Sequence, residues 1–188
     1  SKESHTDLPI FLHGQLATVA RSAGLSYFSV RALLPEAINP LVATLGGSLV
    51  SNRLKLFHEY TPGTRPSANK QSIDMQLVSI DGNLLSSGLA NSDRVASEIK
   101  WMWPSIDRFL AHGWGIAGVA DGQIICWCTA EYVGPSHCGI GIETIDGHQN
   151  RGIATATGAR FIEECLQRGR KPCWECDSTN SPSLHVAQ

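Results

Sequence analysis

The sequence predicts an α/β (α+β) fold, a mixed and mostly antiparallel sheet flanked by helices, and three stretches carry that expectation. Residues 114–120 and 123–133 are apolar, strand-like runs joined by Asp121-Gly122, a pair suited to the tight turn of a hairpin. Residues 138–145 alternate and pass through Asp146-Gly147 into a helical pattern. That helix carries Ala154, Gly158, Phe161, Ile162, Cys165 and Leu166 along one face and is ended by Gly169. Beyond it, residues 172–177 form a short strand, and a helical connection makes it parallel to 138–145 in a right-handed crossover.

Residues 8–20 place Leu8, Phe11, Leu12, Leu16, Val19 and Ala20 at helical spacing, with Asp7 at the start and Gly24 at the end. A second helical stretch, 35–49, is divided by Asn39-Pro40. Residues 53–60 alternate as a strand. The polar run 61–72, with Pro62, Gly63 and Pro66, is a loop that would serve as a lid. Residues 75–80, Asp81-Gly82 and 84–87 then read as strand, turn, strand. Residues 92–112 are helical, broken at Pro104 and closed by Gly113, and Trp101, Trp103 and Trp114 are expected to anchor two lobes. The domain reading is an N-terminal α/β lobe on the substrate side, residues 1–105, and a second lobe, residues 106–188.

Composition narrows the function. With 42% hydrophobic and 17% charged residues the chain is of ordinary globular type. Its net charge of −2, with no run of Lys or Arg, disfavours nucleic-acid or polybasic membrane binding. No apolar run approaches the roughly 18 residues of a membrane span, and His13 and Gln15 interrupt the one that could be a signal core. A cytoplasmic protein is expected. Cys126, Cys128, Cys138, Cys165, Cys173 and Cys176 fall largely in apolar strands and suit buried thiols in a reducing compartment. Cys173 and Cys176 lie three apart on a strand and point to opposite faces, so no metal site is expected.

The chemistry is concentrated in residues 139–154, GIGIETIDGHQNRGIA. Ile140, Ile142 and Thr144 line one side of the strand, Gly141 and Glu143 the other. The helix that follows begins with amides that have no intrahelical partner and sit at the positive end of the backbone dipole, so they suit a phosphate group. Gly152 and Ala154 are small enough to admit a ligand against the backbone. His148 stands beside this loop.

The run Gln149-x-x-Gly152-x-Ala154 resembles the acyl-CoA loop of the GCN5-related N-acetyltransferase (GNAT) superfamily, and the order of elements over residues 113–188 is similar to the central part of that fold. The stretch from Ile142 to Gln188 looks closest to the subgroup that includes zwittermicin-resistance-type acetyltransferases. The resemblance implies acetyl-CoA as cosubstrate, no metal, and transfer of its acetyl group to the primary amine of a small molecule by direct attack on the thioester. Backbone amides of Gln149, Asn150, Arg151, Gly152, Ile153 and Ala154 would hold the pyrophosphate, with Arg151 or Thr155 adding a side-chain contact. Ile142 and Thr144 would pair through their backbone with the pantetheine arm. Asn180 would contact its thiol end or cap a helix beginning near Pro182.

Amine attack needs a base. Glu143 is the first choice, and Glu131 and Glu175 are the alternatives. The family's fold expects two further strands, so the chain reads as truncated at its C-terminus, with the general acid beyond Gln188. A module that binds acyl-CoA without transferring anything is the competing reading. The expected partner is the amine, with a homodimer left open as the assembly.

Overall fold

A computed structural model of the chain describes residues 55–59 and 74–187, together with positions 18, 19, 22, 39 and 43, which are helical. The rest of the expected helices 8–20 and 35–49, and the whole of loop 61–72, lie outside the described residues. The chain divides into two compact units, Ser1–Arg53 and Leu54–Gln188. The second unit contains every element described below.

Six strands form one sheet. They are β1 (Lys55–Glu59), β2 (Gln76–Ser79), β3 (Gly115–Ala120), β4 (Gln123–Val133), β5 (His137–Thr144) and β6 (Lys171–Asp177), in spatial order β1-β6-β5-β4-β3-β2. Only β5 and β6 run parallel, joined by helix α4 (Ile153–Gln167); the other neighbours are antiparallel. Helices α1 (Gly82–Leu85), α2 (Ser92–Met102) and α3 (Ile106–His112) lie between β2 and β3, and α5 (Ser181–Ala187) follows β6. No helix among the described residues is long and apolar enough to cross a membrane.

Local chemistry sets these boundaries. Asp121 and Gly122, at φ 49° and 73°, supply the two left-handed residues that a tight β3–β4 hairpin requires. Trp103 ends α2 in an extended conformation immediately before Pro104, and Ser105 restarts the helix by accepting from the Arg108 amide. The expected strand at 84–87 is instead the single-turn helix α1. Asp81 accepts from the Leu84 amide at 2.8 Å, and the Ser86 and Ser87 hydroxyls each donate to a carbonyl of the turn at 2.7 Å. These short side chains satisfy the backbone locally, so no partner strand is needed.

The lobe boundary differs from the one expected near residue 105. Strands β1 and β2 are the two edges of the same sheet, and the compact unit begins at Leu54. The reason is pairing: β2 completes its backbone hydrogen bonds on β3, and β1 on β6.

Each face of the sheet has its own core. On one, α4 packs Phe161 and Cys165 over Trp114, Ile116, Cys128, Ala130, Cys138, Ile140 and Trp174, with Trp114 and Phe161 stacked at 5.8 Å. On the other, Val95, Ile99 and Phe109 from α2 and α3 cover Ala117, Ile124 and Trp127. Of the three tryptophans expected as anchors, Trp114 is buried and Trp103 is tied by its indole N–H to the Ala130 carbonyl at 2.7 Å. Trp101 is 77% exposed and anchors nothing in the described unit.

Candidate functional site

Strands β5 and β6 part company half-way along. Their ladder runs from His137↔Lys171 to Ile140↔Trp174 and stops, although β5 stays paired with β4 as far as Thr144 and β6 with β1 as far as Asp177. The Ile145 amide donates to the Ile125 carbonyl on β4. Alternation along β5 therefore turns the peptide groups of Gly141 and Glu143 toward β4, and those of Ile142 and Thr144 toward the gap. An extended ligand segment entering the gap would find backbone donors and acceptors at strand spacing.

At the end of β5 the chain forms a tight left-handed cradle. Gly147, Asn150 and Gly152 have φ of 82°, 58° and 75°. Gly152 caps α4 without a side chain, and Ala156 is the first amide to bond back into the helix, to the Gly152 carbonyl at 3.0 Å. Among the described residues no acceptor meets the amides of Ile153, Ala154 and Thr155, which stand at the positive end of a helix of 15 residues. Successive amides presented this way form an anion cradle. The Gln149 side chain does not point outward. Its amide donates to the Thr144 carbonyl at 3.2 Å and to Asp146 Oδ1 at 3.3 Å, closing the loop onto β5. Arg151 is exposed, and His148 Nδ1 has no hydrogen-bond partner among the described residues.

The carboxylates gather on the face opposite α4. Glu143 points there with Gly141, and its carboxylate is ion-paired with Arg94 of α2. Glu131 occupies a bulge in β4, where the register shifts between Ala130 and Tyr132. The bulge brings Glu131 and Tyr132 to the same face. A Cβ on Gly141 would lie 3.1 Å from the Glu131 carboxylate, and one on Gly139 would lie 2.2 Å from the Tyr132 ring. The Tyr132 hydroxyl donates to Glu175 Oε1 at 3.4 Å. Glu143, Glu131 and Glu175, the three carboxylates picked from sequence, thus line one lane floored by Gly139 and Gly141.

A fourth carboxylate joins them. Glu98 projects from α2 between the buried Val95 and Ile99 and accepts from Trp127 Nε1 at 2.6 Å and from Thr129 Oγ1 at 3.2 Å. Trp127 pairs with Glu143 and Thr129 with Gly141 across β4 and β5, which sets Glu98 over the same lane. Burial pushes the Glu98 carboxyl up from its ordinary value, against the lowering effect of the Trp127 hydrogen bond, and the charge of Glu143 adds to the rise. Arg94 lies one helical turn before Glu98 and packs its guanidinium over the Trp127 ring at 5.6 Å. Sequence reading passed over both residues. The signal available was an Arg–Glu pair four apart beside an apolar stripe, the mark of any solvated helix edge.

Other elements serve other ends. Asn180 Oδ1 accepts from the Ser183 amide at 3.2 Å and so caps α5. Burial raises the Cys126 and Cys128 thiols, which keeps them protonated and poor nucleophiles. Among the described residues no group of His, Cys, Asp or Glu is arranged to hold a metal. An apolar hollow of about 90 Å³ between α4, β6 and α5, lined by Ile140, Gly158, Ile162, Trp174 and Val186, contains none of the four glutamates.

The family model described as GNAT acetyltransferase matches residues 51–188. The chain belongs to the GNAT acetyltransferase family. The matched region takes in β1, β2 and the helices between β2 and β3, in agreement with the single sheet that they share. Among curated proteins it is 26% identical over 127 residues to the uncharacterized N-acetyltransferase YdfB of Bacillus subtilis (strain 168), covering 65% of this chain and 48% of that protein. Among solved structures it superposes with a TM-score of 0.56 on a GCN5-related N-acetyltransferase-like protein from Streptococcus suis 89/1591. That match has 19% identity and covers 79% of this chain and 61% of the other. The chain thus spans about half the length of that curated relative. The likeness to the solved structure is one of fold, and the mixed sheet flanked by helices is the GNAT architecture. None of these matches points to the zwittermicin-resistance subgroup.

Proposed function

We propose that the protein is an N-acetyltransferase that moves the acetyl group of acetyl-CoA onto the primary amine of a small molecule in the cytoplasm. The observation that carries this reading is the gap between β5 and β6 opening onto the uncapped start of α4. Together they offer the two things an acyl-CoA presents, an amide-bearing arm and a pyrophosphate. In this reading the backbone of Ile142 and Thr144 pairs with the pantetheine arm. The amides from Gln149 through Ala154 take the pyrophosphate, with Arg151 or Thr155 beside it. Asn180 fixes the start of α5 and, in this reading, would contact the thiol end of the arm. When bound, acetyl-CoA supplies an activated acetyl thioester. The chain's own task is to orient the amine and manage its proton. Glu143 is the carboxylate that meets the incoming ammonium, with Glu131 and Glu175 as its alternates along the lane.

Two measurements test the proposal. Calorimetric titration of acetyl-CoA and CoA into the protein should give binding in the micromolar range. Gly152→Asp should weaken that binding at least about 100-fold, about 2.7 kcal/mol, because it puts a branched anion on a residue at φ 75° where phosphate belongs. Unchanged CoA affinity in this variant would overturn the loop assignment. Tight CoA binding without CoA release across a panel of primary amines would favour the module that binds and does not transfer.

A further inference from the structure

We infer that Glu98, rather than Glu143 alone, takes the proton from the acceptor amine. The inference rests on the acetyl-transfer reading above and concerns one residue that neither the loop motif nor the family match assigns. It stands on the contrast between two neighbouring carboxylates. Glu143 is committed to Arg94 in an ion pair and reaches the lane from the strand that borders the gap. Among the described residues no cation pairs with Glu98. Its oxygens accept from two neutral donors, the Trp127 indole and the Thr129 hydroxyl, both on side chains that are fully buried, and lie within hydrogen-bond reach of the Glu143 carboxyl, which raises Glu98 further. Neutral donors fix the carboxylate's direction without cancelling its charge, so it stays able to accept a proton.

The groups facing Glu98 are few. From β5 there is Glu143, whose negative charge favours a proton on Glu98. From β4 there are Trp127 and Thr129, with the thiols of Cys126 and Cys128 close enough to feel its charge. On α2 itself there is Arg94, turned toward Glu143 and Trp127. Burial raises the Glu98 carboxyl toward the range where a base at neutral pH is effective.

The step balances as follows. Glu143, set by its pairing with Arg94, attracts and orients the ammonium, which gives up one proton to solvent to become a nucleophile. The nitrogen lone pair forms the carbon–nitrogen bond to the acetyl carbon, and the carbon–sulfur bond breaks with its electron pair leaving on sulfur. The second nitrogen proton passes to Glu98, directly or through one water over Gly141. The thiolate takes a proton from solvent, and Glu98 later returns its own to solvent. The sum is an amide, free CoA and one released proton. Glu98 and Glu143 thus divide the labour, one accepting a proton and the other holding charge.

The test follows CoA release from acetyl-CoA with tyramine, putrescine and glucosamine as amines, using the full chain. For the amine that reacts best, kcat/KM of the wild type should fall on the acid side along a limb belonging to one carboxyl. Glu98→Gln should lower kcat/KM at neutral pH by about 10²- to 10³-fold and abolish the limb, while CoA affinity by calorimetry stays within about twofold. Glu98→Asp should keep the limb at a reduced rate, which also covers the case in which the amide variant folds poorly. Glu143→Gln should raise the KM for the amine and leave the limb in place. A carbon-13 carboxyl NMR signal that disappears in Glu98→Gln should titrate over the same pH range as the limb. The inference is overturned if Glu98→Gln keeps the limb and a rate within about threefold of wild type, or if the limb is lost in Glu143→Gln instead. Failure of the wild-type chain to acetylate any amine while still binding CoA would overturn the transfer reading itself, and this inference with it.

Discussion

The two faces of one sheet do different work, and the same strands supply both. Along β5, Ile140 and Ile142 turn to α4 and join a core with Phe161, while Gly139, Gly141 and Glu143 turn away from it. Along β4, Cys128 and Ala130 face α4, while Trp127 and Thr129 face Glu98. The α4 face is closed and apolar. The opposite face is apolar only under α2 and α3, and beyond them it becomes a glycine-floored lane edged by four glutamates. Period-two alternation lets a strand be part of the core and part of a site in the same few residues. A change on the α4 face should therefore disturb stability far more than chemistry.

That separation can be broken deliberately. The largest effect should come from the closed face: Phe161→Ala removes a fully buried ring stacked on Trp114 and should cost about 3–5 kcal/mol in denaturant unfolding. CoA affinity should change little below the unfolding transition, and a large loss of affinity in a folded sample would mean that the two faces are coupled. Next, Gly139→Ala tests the lane. The added methyl would lie 2.2 Å from the Tyr132 ring, so the ring must swing and its hydrogen bond to Glu175 must break. A loss of about 1–3 kcal/mol is expected, together with a raised KM for the amine. An unchanged KM would remove Tyr132 and Glu175 from the acceptor side.

The smallest effect is a slope. Because burial raises the Glu98 carboxyl above its ordinary 4.5, its contribution to stability is full below that value and is lost as pH rises through the folded-state value. Glu98→Gln should remove that loss, so the melting temperature of the variant relative to wild type should climb between acidic and neutral pH. A difference that is flat with pH would mean that the carboxyl is not desolvated.

Much of this architecture was legible in the sequence because local chemistry decides it. The Asp121-Gly122 hairpin, the break at Pro104, the parallel crossover from β5 to β6 and the glycine-rich start of α4 each rest on residues with few conformational alternatives. The misreadings have the opposite character. Asp81-Gly82 reads as a hairpin turn leading into a strand at 84–87, but Asp81, Ser86 and Ser87 capture the backbone locally, a competition that the turn signal does not register. The membership of β1 and β2 in the main sheet depends on long-range pairing.

The same distinction holds at the site. Glu143 could be put forward as a candidate because it lies in the stretch 139–154, on the strand that leads into the loop. Glu131, Tyr132 and Glu175 share a face only because of a register shift in β4, and Glu98 meets them only because α2 packs across that strand. Such meetings are made by tertiary structure and leave no spacing to read.

The parting of β5 and β6 carries one more consequence. Each lip of the opening is fastened from behind, β5 by β4 and β6 by β1, so the slot is standing rather than pried apart. The Thr144 carbonyl there is already met by the Gln149 side-chain amide, so an extended segment entering the slot would have to share or displace that one contact as well as water. If such a segment binds as proposed, the protein would give up little conformational freedom, and the free energy of the new peptide hydrogen bonds would go largely into affinity and alignment.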